Sequence, residues 1–161
     1  MSVVRILVAA FAATLTLGAA AAQADASTQL INAGEPSVAM EVAQDGRVFL
    51  KPSNPASFRQ QWNKEAAGGG RVRYRNLATN ACLIVAQSAK PDDALRVGAC
   101  QGVGLRNAWT RKDVTSGNGA LALVSSHSGL SFVPNFFTFP SDLLVLATVG
   151  TAGPFGEYIG A

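Results

Sequence analysis

Residues 59–62 read Arg-Gln-Gln-Trp, "RQQW", and 47 positions later residues 106–109 read Arg-Asn-Ala-Trp, "RNAW". A tryptophan preceded twice, at the same distances, by an amide and an arginine marks a repeated unit, and a repeat constrains architecture more strongly than local propensity does. Working outward from the two tryptophans supplies the rest of the unit. "LINAGEPSVAMEVA" from Leu30, "YRNLATNACLIVA" from Tyr74 and "LVSSHSGLSFVPN" from Leu123 share one order of parts. A strand-like run ends in Asn32, Asn76 or Ser125, a polar turn follows, and a second short apolar strand comes next. Each segment leads to a further apolar run, "RVFLKP" from Arg47, "LRVGAC" from Leu95 or "LLVLATV" from Leu143. Each run then reaches an aromatic closer: "QQW" ending at Trp62, "NAW" ending at Trp109 and "GEY" ending at Tyr158. The closers are 47 and 49 residues apart, so the chain reads as three units over roughly 27–66, 70–114 and 118–161.

Ahead of the first unit stand Arg5, an apolar run from Ile6 through Ala22, and Ala22-Gln23-Ala24. These are the three parts of a secretory signal, expected to be cleaved before Asp25. The run is nearly long enough to span a bilayer, but its alanine content and small-x-small ending favour cleavage. No second apolar run of spanning length follows, so the chain from Asp25 to Ala161 is expected to be soluble, secreted and extracellular. Its 137 residues suit one domain with a substantial core. Setting Arg5 aside leaves 12 basic against 10 acidic residues, a net +2 that argues against nucleic acid as a partner.

Cys82 and Cys100 enclose 17 residues. In an exported chain the pair reads as a disulfide, worth on the order of 3 kcal/mol on the chain-entropy model. Two cysteines and the single His127 do not make a zinc set, so neither a metal nor another cofactor is expected. No nucleophile elbow surrounds Ser125, Ser126 or Ser128. Carboxylates are scattered rather than paired, and a glycosidase pair formed across the fold is invisible at this level. The chain is read as non-enzymatic.

No amphipathic helix of a dozen residues follows the signal, and four short strands cannot bury an apolar face alone. Three β units must therefore share one core, in a closed β architecture or, on periodicity alone about as well, a Greek-key sandwich. The order "N…ACLIV…C…NAW" in the second unit, with "QQW" closing the first, resembles the ricin-type β-trefoil, whose repeats carry a Cys-Leu-Asp-Val strand, a second Cys and a Gln-x-Trp closer. The resemblance covers Leu30 to Tyr158, clearly in the second unit, well in the first and faintly in the third. It implies an all-β trefoil, with Trp62 and Trp109 in the central core and the cysteine pair stapling the second unit.

The family's sugar sites use an Asp in that strand, an aromatic platform and an amide before the closer. Those positions fall on Glu41, Ile84 and Val133; near Lys51, Gly98 and Ala147; and near Arg59, Arg106 and Phe155. Only the first unit keeps an acid, so Glu41, Lys51, Asn54, Arg59 and Gln60 are the expected carbohydrate site. The function implied is a secreted, non-catalytic, lectin-like module for extracellular glycan or polysaccharide. The alternative is a protein-binding trefoil, an adaptor or protease inhibitor, meeting a secreted or cell-surface protein. Its contact surface would be Arg71, Arg73 and Arg75, which alternate along one strand face, or the loop carrying Phe136 and Phe137. Gly68-Gly69-Gly70 reads as a flexible link between units.

Overall fold

The computed structural model describes residues 27–113, 121–134, 143–148 and 158–159. The expected export signal and the Phe136–Phe137 loop lie outside the described residues. Strands β1 (Thr28–Gln29) and β2 (Ile31–Asn32) form one run interrupted only at Leu30. That run pairs on one side with β5 (Gln61–Gly68) and on the other with β13 (Tyr158–Ile159). From β5 the ladder continues through β6 (Arg71–Asn76), β9 (Trp109–Asp113) and β10 (Leu121–Ser125) back to β13. The ring is thus closed, which removes the unpaired edges an open sheet would present.

Three hairpins form a second layer: β3 (Val38–Val42) with β4 (Val48–Pro52), β7 (Cys82–Ile84) with β8 (Arg96–Gly98), and β11 (Ser131–Pro134) with β12 (Leu144–Ala147). They meet where Val48 N donates to Leu95 O at 3.0 Å and Leu95 N to Leu144 O at 2.8 Å. Val48, Leu95 and Leu144 are all fully buried and stand 47 and 49 residues apart, the spacing of the aromatic closers. The same equivalence orders the rest of the core, with Leu30, Tyr74 and Leu123 in one set and Met40, Leu83 and Phe132 in another. Trp62 and Trp109 are at 0 % exposure, and Phe132 meets Trp109 edge-on with centroids 5.6 Å apart. An edge-to-face pair of this kind adds to the area each ring buries.

Two local devices lock the units together. Asn32 Oδ1 accepts from Gly34 N and Glu35 N, Asn76 Oδ1 from Ala78 N and Thr79 N, and Ser125 Oγ from His127 N and Ser128 N. The three side chains are buried and each closes the turn after a barrel strand, the work that Asn and Ser do in Asx and ST turns. Asn76 Nδ2 also donates to Arg59 O at 2.9 Å and Gln61 O at 3.1 Å, tying the second unit's turn to the first unit's closer. The triple glycine does stand between the first two units, but as a hairpin turn and not as an open link. Gly68, Gly69 and Gly70 have φ of 77°, 60° and 73°, and they make the turn of the β5–β6 hairpin. Three successive left-handed residues are open to glycine and strained for any other residue.

Candidate functional site

Alternation along the first hairpin sends Met40, Val42, Val48 and Leu50 into the core and leaves Glu41, Phe49 and Lys51 half-buried on the outer face. The register sets Glu41 directly across from Phe49 and Ala39 across from Lys51. The Phe49 ring carries the Arg47 guanidinium 5.3 Å from its centroid and the Lys51 ammonium at 5.5 Å. Cations over an aromatic face are attracted by its quadrupole, so both side chains help to fix the ring. Phe49 is the residue that sequence comparison missed. Its signal was the alternate phase of Phe49 to Val48 and Leu50, which points it away from the core.

The turn Phe58–Gln60 delivers Gln60 beneath this face, at 1 % exposure. Gln60 Nε2 donates to Glu41 Oε2 and to Pro52 O, both at 2.9 Å. Gln60 Oε1 accepts from Gln29 Nε2 at 2.8 Å and from Asn54 N at 2.7 Å. A buried amide with all these partners is a rigid bracket, and it aims the Glu41 carboxylate. Asn54 joins through its backbone, while its own Oδ1 accepts from Ala56 N. Arg59 turns toward the hairpin end, where Nη1 donates to Val42 O at 3.0 Å. The structure thus brings Glu41 and Gln60 into contact, places Asn54 and Arg59 at the bracket's margins, and stacks Lys51 on Phe49.

The second unit repeats the bracket with different residues. Arg106 Nε donates to Val85 O at 2.9 Å as Arg59 does to Val42 O, and Asn107 Nδ2 donates to Cys100 O at 2.7 Å as Gln60 does to Pro52 O. Trp62 Nε1 and Trp109 Nε1 donate to Met40 O and Leu83 O. Cys82 and Cys100 are joined in a disulfide with Cα atoms 5.0 Å apart. Where the first unit has Glu41, the second has Ile84, half-buried in the wall of an open cleft of about 440 Å³. In the third unit Val133 holds the position, paired with Val145, and Phe155 lies outside the described residues.

Arg71, Arg73 and Arg75 do share the outward face of β6, between buried Val72, Tyr74 and Asn76. Glu65 on β5 binds Arg75 through both of its oxygens and approaches Arg73 Nη1 at 3.7 Å. The Glu65 carboxylate holds the Arg75 guanidinium even further above the physiological range than usual. Arg71 Nε donates to Gly68 O at 3.0 Å, and Arg73 Nε is buried without a partner. His127 is exposed, with Nε2 2.9 Å from Gln87 O, the geometry of a ring N–H donating to a carbonyl.

No family model matches the sequence, and no curated protein does. Solved structures are similar in fold. A designed threefold-symmetric protein, ThreeFoil, superposes at TM-score 0.71 with 19 % identity, covering 82 % of this chain and 95 % of that one. A ricin B-like lectin of Macrolepiota procera, solved in complex with lactose, gives 0.68 with 11 % identity over 84 % and 94 % of the two chains. An exo-β-1,3-galactanase from Clostridium thermocellum gives 0.69 with 19 % identity, over 82 % of this chain but 29 % of the enzyme. With the closed ring and the three hairpins, these likenesses establish a β-trefoil.

Proposed function

We propose that this β-trefoil is a secreted, non-catalytic recognition module that binds extracellular glycan or polysaccharide through the outer face of its first unit. The observation that carries the reading is the bracketed pair of Glu41 and Phe49. Gln60 fixes the carboxylate through Oε2, and no described residue donates to Oε1. A carboxylate held in place accepts hydrogen bonds from neighbouring sugar hydroxyls, and a flat ring beside it packs the C–H face of the same sugar. Because Gln60 fixes the acid beforehand, little side-chain entropy is lost on binding. Lys51 and Arg47 hold their cationic ends over the ring, so a sugar stacks there by displacing them, and Asn54 lies at the edge nearest the Gln60 bracket. The lactose complex of the Macrolepiota lectin supports this class of ligand for the fold. The disulfide, together with the expected amino-terminal export signal, fits an oxidising, extracellular setting.

The test is a glycan and cell-wall polysaccharide array probed with residues 25–161 and with Glu41→Ala. Loss of the bound ligand in the variant, at an unchanged melting temperature, is the expected result. Gln60 Nε2 keeps Pro52 O when Glu41 is removed, so the fold should not suffer. Retained binding would remove the first unit from consideration. The competing protein-binding reading is favoured by the outward face that Arg71, Arg73 and Arg75 share on β6. It expects Arg73→Glu to abolish capture of a secreted partner, and an unaltered capture would count against that face.

A further inference from the structure

The cleft of the second unit is not an eroded copy of the first unit's face. Its walls carry Ile84, Ser88, Asp93, Arg96 and Arg106, in a space of about 440 Å³, large enough for a sugar residue. Arg96 stands on β8 where Phe49 stands on β4, so a cation replaces the ring. Arg106 spends Nε on Val85 O, and its side chain lines both this cleft and a neighbouring one. An acid also returns from another part of the chain. Asp93 lies in the loop before β8, and its Oδ2 accepts from Lys90 N at 3.0 Å. That loop is anchored on the third unit, because Asp92 N donates to Leu146 O and Leu146 N donates to Asp93 O. Asp93 is therefore positioned by backbone groups, where Glu41 is positioned by an amide side chain.

We infer that this cleft binds a sugar bearing a carboxylate, the chemistry of a uronic acid residue. Two guanidinium groups suit a carboxylate, which the planar fork of arginine can grip with two parallel hydrogen bonds. Asp93 Oδ1 and the exposed Ser88 hydroxyl supply acceptors for the hydroxyls that such a sugar carries beside its charge. A bare anion would gain from the arginines and be repelled by Asp93. A neutral sugar would use Asp93 and offer the two guanidinium groups only hydroxyl oxygens, with no charge to match theirs. Only a ligand with both features uses the whole wall. The inference is independent of the first-unit site, which has one acid and an aromatic ring.

The experiment is calorimetric titration of the chain with an oligogalacturonate, with the same oligomer as its methyl ester, and with sodium sulfate. Saturable binding of the free acid is expected, weakened by added salt and at least about ten-fold weaker for the ester, which keeps the hydroxyls and loses the charge. Arg96→Gln, at an exposed position, should cost a similar factor at an unchanged melting temperature. Asp93→Asn, which keeps an acceptor for Lys90 N, should weaken binding of the acid without improving that of the ester. No binding of the acid, equal binding of the ester, sulfate competing as well as the uronate, or an Arg96→Gln titration like that of the native chain would each overturn the assignment. So would uronate binding that disappears with Glu41→Ala, which would return the ligand to the first unit.

Discussion

The first and second units share a frame and differ on its surface. In both, tryptophan Nε1, an arginine and an amide each hold a backbone carbonyl at equivalent places. Around that frame the first unit displays Glu41 and Phe49, and the second displays Ile84 and Arg96. The frame must satisfy buried polar groups, so its chemistry is constrained whatever the ligand. The outer face meets water, and its residues change at little cost to the fold. Similarity in the closer therefore reports architecture, and the site must be read from the face.

The equivalence of the two units is tested first at the frame. Trp62→Ala and Trp109→Ala should each cost about 3–5 kcal/mol in chemical unfolding, because each opens a cavity at the shared core. A large loss for one and a small loss for the other would show that the units are not equivalent. The disulfide is next in size. Replacing Cys82 and Cys100 by alanine should cost about 2–4 kcal/mol. If the staple is local, any ligand of the first-unit face should still bind well below the lowered melting temperature. Asn76→Ala should cost about 2–3 kcal/mol, since it strips a buried side chain that both accepts and donates, whereas Ser125→Ala should cost about 1 kcal/mol. The gap measures the extra bonds from Asn76 Nδ2 to the first unit's closer.

The smallest effect concerns Tyr74, which stands in the core set where the other units have Leu30 and Leu123. Its hydroxyl is buried without a partner, and burial pushes its pKa well above the ordinary 10.0. The folded state therefore keeps the proton that the unfolded chain loses near pH 10.0. Stability should hold below that pH and decline above it, as the unfolded state ionises first. Tyr74→Phe should be as stable as the native chain at neutral pH and lose the Tyr74 share of the alkaline decline. A marked loss at neutral pH would mean that the hydroxyl has a role in the barrel.

Much of the frame was legible in the sequence because its residues recur at fixed intervals. The spacing of Trp62, Trp109 and Tyr158 reappears in Val48, Leu95 and Leu144, and Asn32, Asn76 and Ser125 close equivalent turns. Glu41 was singled out through the ricin-type resemblance, as the one acid at the family's Asp position. Phe49 was not, since its place opposite Glu41 depends on the register set by the turn between β3 and β4, where Gly46 has φ of 79°. Asp93 was hidden more deeply. It comes from a loop whose position is fixed by backbone bonds to the third unit, and no local pattern encodes a bond of that range. The glycine run misled because its composition suits a linker, while its three left-handed residues suit a tight turn.

The central claim is that recognition sits on the first unit's outer face, and a titration followed residue by residue in NMR spectra of the chain tests it most directly. With a glycan taken from the array, the account expects the largest shifts at Glu41, Phe49, Lys51, Asn54 and the Gln60 side-chain amide, with little change along Arg71 to Arg75. Shifts centred on Arg71, Arg73 and Arg75, with Glu41 and Phe49 unmoved, would contradict it.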